Sequence, residues 1–242
     1  MNHYFKAAAL ATLAAGFCPN TLAAEFSVTP IRIFMAARDR AVAITVVNEG
    51  DEEVVIQADL YSWKQKPGGE DDLVLTEDMI LSPPILKLAP KSRQVVRLAR
   101  LTAPPAADQM TYRMILREIP EARPATKEVT IQIALAFSLP VFITPPRAKR
   151  ELHCSTERVA PDTISAVCEN KGNAYAQPRE FVLLAENGDK IATRDSGGYL
   201  LPEIKRSFEI KRAGANIPSG KVRLQVAMDD GTVQTFDTAL RD

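Results

Sequence analysis

Short runs of alternating apolar and polar residues recur along the chain, and turn-forming residues end most of them. The clearest are 41–47 before Asn48-Glu-Gly-Asp51, 53–62, 93–98, 112–118 before Ile119-Pro120, 165–169 before Asn170-Lys-Gly-Asn173, 179–185 before Asn187-Gly188-Asp189, and 221–228 before Asp229-Asp230-Gly231. Alternation puts successive side chains on opposite faces, which is the pattern of a half-buried strand. No segment keeps a 3.6-residue apolar period over several turns. Regular short strands with such punctuation predict an all-β fold made of β-sandwiches. The best boundary is Thr144-Pro145-Pro146-Arg147-Ala-Lys149-Arg150, because two prolines cannot continue a central strand. It separates 25–144 from 151–242, each close to the size of one sandwich, with 145–150 as a linker whose basic residues read as solvated.

The segment before that boundary departs from the rest. Residues 129–144 carry no charge, and the large apolar residues Val129, Ile131, Ile133, Leu135, Phe137 and Leu139 alternate with small or polar ones. This is strand periodicity. Over 129–139 it would span about 36 Å at ~3.3 Å per residue, about twice a typical strand. A strand of that length is expected to project beyond its sheet, and an exposed apolar edge invites aggregation unless something pairs with it. An ordinary core strand with its apolar face inward is the alternative.

The first 24 residues read as a cleaved secretory signal: Lys6, an apolar run over 7–17, then Leu22-Ala23-Ala24. The run is too short to span a membrane, and Phe17 before Cys18 does not fit a lipoprotein site. Cleavage after Ala23 or Ala24 would leave Cys154 and Cys168, an even pair in an exported chain. Their midpoint falls on Ala160-Pro161-Asp162, a turn signal. Strands folded about it would bring the two cysteines opposite each other as a disulfide. Two free buried thiols are the alternative.

Composition narrows the function. Hydrophobic residues make up 46% and charged residues 25%, which excludes wholesale disorder. Thirty basic residues balance thirty acidic ones, unlike a nucleic-acid binder. Only His3 and His153 are present, which leaves few general bases near neutral pH. No P-loop or dinucleotide fingerprint occurs, and no cofactor or metal is expected. The pairs Asp71-Asp72 and Asp229-Asp230 read as solvated turn acids. His153 adjoins Cys154, but neighbours on a strand face opposite ways. An enzyme is therefore not expected.

Several blocks, in order, resemble the PapD-like periplasmic pilus chaperones. They are Phe26-Ser-Val-Thr-Pro-Ile-Arg32; Asn48 with Ala58-Asp-Leu-Tyr-Ser-Trp63; Ser82-Pro83-Pro84; Leu88-Ala-Pro90 running into Gln94-Val-Val-Arg97-Leu98; Leu116-Arg-Glu-Ile-Pro120; and Ile131-Gln-Ile-Ala-Leu135 followed by Pro140-Val-Phe142 and Pro145. The resemblance covers most of 26–146. It implies two immunoglobulin-like sandwiches at an angle, a cleft between them, and a periplasmic location. It also implies a mechanism, in which the chaperone lends an edge strand to a pilus subunit lacking one, then delivers it to an outer-membrane usher. Ile131, Ile133 and Leu135 would insert into the subunit groove, with Val129 and Phe137 extending the row. A second copy of the chain is a further candidate partner, capping the strand when no subunit is present.

Family members hold the subunit's C-terminal carboxylate with an arginine and a lysine. Arg32 matches the arginine, but Pro140 falls at the lysine position and Thr144 where an arginine often precedes the linker proline. Ser138-Leu-Pro-Val-Phe142 and Tyr112-Arg113 are more similar to a divergent, archaic branch. Arg113 is the first substitute anchor and Lys127 the second, with a solvated surface cation as the alternative for each. Arg117 reads as structural, paired to a nearby acid. The competing function is a secreted structural or adhesive protein, pilin-like. It is disfavoured because the expected mature chain enters its first strand without a donor extension.

Overall fold

The computed structural model describes residues 26–120 and 133–241. Among these, every regular element is a β-strand. The first ten are β1 (Phe26–Thr29), β2 (Ile33–Ala36), β3 (Ala41–Asn48), β4 (Val54–Gln65), β5 (Asp71–Leu75), β6 (Met79–Ser82), β7 (Ile85–Leu88), β8 (Arg93–Arg100), β9 (Met110–Glu118) and β10 (Ala136–Thr144). They form two sheets, ordered β1-β3-β8-β6 and β2-β10-β9-β4-β5, with β7 also on β4. Inward residues from both sheets, among them Ile33, Ile44, Ile56, Leu86, Val96, Leu98, Met114 and Val141, enclose one core.

The chain crosses between these two sheets repeatedly, and two of the crossings, from β1 to β2 and from β6 to β7, share one feature. Each of these two is made at a proline, Thr29–Pro30 and Ser82–Pro83, where the peptide bond is cis. A residue without an N–H cannot donate to a ladder, so these are places where a strand can leave its sheet. The first crossing matters for function. Because β1 belongs to the other sheet, only β2 is left to line β10.

The second half holds β11 (Leu152–Ala160), β12 (Thr163–Asn170), β13 (Pro178–Ala185), β14 (Lys190–Asp195), β15 (Lys205–Lys211), β16 (Gly220–Met228) and β17 (Val233–Leu240). Its sheets are β11-β12-β15 and β14-β13-β16-β17. Ile164, Phe181, Leu183, Phe208, Ile210, Leu224 and Val226 form its core. Cys154 and Cys168 face each other across β11 and β12 and are joined by a disulfide. The fold is thus all-β, with two sandwiches and a cleft between them.

Both sandwiches use the same polar device. Asn48 and Asn170 each end a strand and are wholly buried. The Asn48 side-chain amide donates to the carbonyls of Glu52, Leu88 and Ala89, while its oxygen accepts from Gly50 N–H. The Asn170 amide donates to Ala174 and Leu200, and its oxygen accepts from Gly172 N–H. A buried polar side chain is tolerated because it satisfies backbone groups that have left the ladder. Gly172 has no substitute: an added Cβ would lie 2.1 Å from the Lys149 carbonyl oxygen.

Candidate functional site

β10 pairs antiparallel with β9 along nearly its whole length, from Ala136↔Arg117 to Ile143↔Met110. On its other side β2 runs parallel and covers only Val141 to Thr144. Among the described residues, 136–140 therefore have one open margin. Which backbone groups point there follows from the ladder. Glu118 N–H donates to the Leu135 carbonyl, and Ile119 N–H donates to the Val55 carbonyl of the next strand. In an antiparallel pair, residues bond to the partner alternately. Odd-numbered residues of β10 thus bond to β9, and even-numbered ones aim their N–H and C=O away from it. Ala136 and Ser138 present both groups to the open margin, while Pro140 has only a carbonyl.

Side chains divide by the same parity. Leu139 is buried in the first core, and Phe137 and Leu135 are half-buried against it. Phe137 meets Phe26 edge to face, with ring centroids 5.0 Å apart. Ile133, next in the row, is 77% exposed. The apolar row thus runs out of its own core toward its N-terminal end. Of the long strand expected over 129–139, the described part is regular from Ala136, and the strand continues past the expected end, through Pro140 to Thr144. Pro140 fits because its missing N–H lies on the side away from β9, so the ladder loses nothing there. Val129, Ile131 and Lys127 lie outside the described residues.

At the end of the open margin stands a cluster of arginines and aromatic rings. Arg113 is directly opposite Pro140 on β9. Arg32 immediately precedes Ile33, which pairs with Val141, so it lies level with Pro140 on the other flank. Both guanidinium groups approach the Tyr199 ring, at 5.4 Å and 6.0 Å from its centroid. Arg113 also stacks on Trp63 at 3.8 Å and reaches Asp71 at 3.4 Å. Burial pushes the Arg113 guanidinium below its ordinary pKa, and Asp71 opposes that shift. Two donors in this stack, Arg113 Nε and Trp63 Nε1, are buried without a hydrogen-bond acceptor among the described residues.

Arg32 is held differently. It donates to Asp229 at 2.9 Å, and Arg150 reaches the other oxygen of the same carboxylate at 3.1 Å. The Tyr175 hydroxyl donates to Asp229 at 3.0 Å. Burial, foremost, pushes Tyr175 up to about 12, so it stays protonated and able to donate. The Asp229 side chain is only 4% exposed. This corrects the reading of Asp229 as a solvated turn acid, and that of Arg150 as part of a solvated linker. The Asp-Asp-Gly run does form a turn, but it faces the other sandwich, which no local pattern reveals. Asp71 likewise sits on a strand and pairs with Arg113. Arg117 bonds Asp59 at 2.6 Å, a local structural pair.

Around these charges the sandwiches meet through Trp63 and Phe142 on one side and Tyr175 and Leu201 on the other. Two glutamines clamp the joint. Gln65 donates to the Tyr199 carbonyl and accepts from Leu201 N–H. Gln109 accepts from Tyr175 N–H through its side chain, while its backbone N–H donates to Asn173. Sequence reading missed Gln65, Gln109, Tyr175 and Tyr199; a polar residue bonding to a distant backbone leaves no periodic trace. Among the described residues, no group of three or more His, Cys, Asp or Glu could hold a metal ion.

Comparison with known proteins agrees with this architecture. The family model described as pili and flagellar-assembly chaperone, PapD N-terminal domain, matches residues 25–149, just over half of the chain. No curated protein matches. The solved CsuC–CsuE chaperone–tip adhesion subunit pre-assembly complex, from archaic Csu pili of Acinetobacter baumannii, is similar with TM-score 0.65 and 19% identity, over 90% of this chain and 100% of that one. The YadV chaperone is similar with TM-score 0.62 and 16% identity, over 90% of this chain and 100% of that one. The Salmonella enterica SafA pilin–SafB chaperone complex gives TM-score 0.58 and 13% identity, over 89% of this chain and 96% of that one. At these identities the likeness is one of fold, and it is the family match, together with the crossed first strand and the half-lined β10, that places the protein: the chain belongs to the pili and flagellar-assembly chaperone family.

Proposed function

We propose that this protein is a periplasmic chaperone that binds, folds and caps pilus subunits by donor-strand complementation and passes them to an outer-membrane usher. The observation that carries the reading is the open margin of β10 at residues 136–140, continued by an apolar row that ends on exposed Ile133. Backbone groups on such a margin accept a strand of almost any sequence, and side chains of the donor row fill the client's groove. Ile131, Ile133 and Leu135 insert, with Val129 and Phe137 extending the row. Each buried side chain contributes about 1.5–3 kcal/mol before association costs. Arg113 anchors the subunit's terminal carboxylate, with Arg32 beside it and Lys127 as a further cation. A bound anion suits Arg113, whose only carboxylate contact among the described residues is the long one to Asp71.

Residues 1–24 act as the signal peptide, 25–144 as the donor domain, 145–150 as the linker and 151–242 as the second domain. The activity is binding, without catalysis. The test is co-expression with pilin-like proteins encoded near it, followed by purification from the periplasm. Ile133→Asp should abolish the complex while leaving the thermal unfolding midpoint unchanged, because Ile133 has no part in the core. A complex of undiminished yield would contradict strand donation through this row.

A further inference from the structure

We propose that Pro140 sets the register of a strand added to β10: the added chain runs parallel to β10 and ends on the residue level with Leu139. The proposal rests on the donor-strand reading above and specifies it. In a parallel ladder, a residue bonds to the two residues that flank its level on the neighbouring strand. A client residue level with Phe137 can donate to the Ala136 carbonyl and accept from Ser138 N–H. The next such residue, level with Leu139, can donate to the Ser138 carbonyl. Its own carbonyl would need an N–H at position 140, and proline has none.

An interior residue at that level would leave a carbonyl unpaired at the mouth of the cleft, which carries a penalty. A chain terminus does not. Its carboxylate is free to turn to the guanidinium groups that flank Pro140, Arg113 on β9 and Arg32 before β2. Charge also fixes the direction. An N-terminal ammonium would be repelled by the same arginines, so the C-terminal end lies here, and the added chain is parallel. Beyond this point β2 occupies the margin from Val141 onward. Proline at this position therefore removes a backbone donor that would hold an interior residue as well as a terminal one. It selects clients by where their chain stops.

Two readouts test this on the subunit that co-purifies with the chain. In the first, Ser138→Cys is paired with single cysteines at the subunit's last, penultimate and antepenultimate residues, and disulfide-linked product is measured. The penultimate position, level with Ser138, should dominate. In the second, the subunit is extended by one C-terminal residue. The native chaperone should bind it about tenfold more weakly than the unextended subunit, and Pro140→Ala should remove most of that discrimination, since the restored N–H pairs the carbonyl. Equal cross-linking at all three positions, or discrimination unchanged in Pro140→Ala, would overturn the register stop while leaving strand donation standing. Subunit binding without a cross-link at any position would overturn strand donation itself, and a failure of the subunit to co-purify would overturn both.

Discussion

Arg113 shows how much one residue's neighbours decide. Between Tyr112 and Met114, a cation on a strand needs a partner, and that much is readable from sequence. What is not readable is that its partners are a ring stacked at 3.8 Å and a loosely held carboxylate. Both come from residues distant in sequence, brought alongside by the β4–β9 and β4–β5 pairings. Asp229 is the opposite case. Its sequence context marks a turn, yet two arginines and a tyrosine converge on it. Arg32 is thereby engaged within the chain, whereas Arg113 is the cation that an incoming carboxylate can take up. Arg113→Ala should weaken subunit binding about ten- to a hundredfold, the range of a hydrogen bond to a charged group. Lys127→Ala should weaken it less. Affinities of both variants for the co-purified subunit check this, and equal, negligible effects would return Arg32 to first place.

At the scale of elements, period-two alternation located the central strands well, because most of them bury mainly one face and their pattern is set by that face; β12, buried on both faces, was found from its Asn-x-Gly end as well. The runs at 41–47, 93–98, 112–118, 165–169, 179–185 and 221–228 all lie within strands. Edge and switching strands such as β2, β5, β6 and β7 are short and were legible only as resemblance blocks or not at all. β10 was found, but it runs on past its expected end at residue 139 to Thr144. Pro140 suggested an end, while the ladder's alternation in fact lets proline sit mid-strand on the open side. The Asn-x-Gly ends of β3 and β12 looked like ordinary turns, although each asparagine is wholly buried and binds two or three carbonyls. Asn48→Ala and Asn170→Ala should each lower stability by about 1–3 kcal/mol, by leaving buried backbone groups unpaired. Chemical denaturation of the two variants measures this, and a change within a few tenths would show that the carbonyls find other partners.

For the whole molecule, the two sandwiches are joined through aromatic packing, two glutamine clamps and the Asp229 cluster, so the cleft has a definite shape before any client arrives. The crossed first strand leaves β10 lined on one side only where the two sandwiches approach, and the arginines stand at the end of that gap. Fold class could be read from strand spacing alone. The cleft could not, since the glutamine clamps and the Arg32–Asp229 pair that cross it join residues more than sixty positions apart. The most direct measurement is residue-resolved amide hydrogen exchange on the monomeric chain, alone and with a bound subunit. Ala136 and Ser138 should exchange quickly in the free protein while Phe137 and Leu139 are protected, and subunit binding should slow the first two. Ala136 and Ser138 already as protected as their neighbours, and unchanged on binding, would contradict the account.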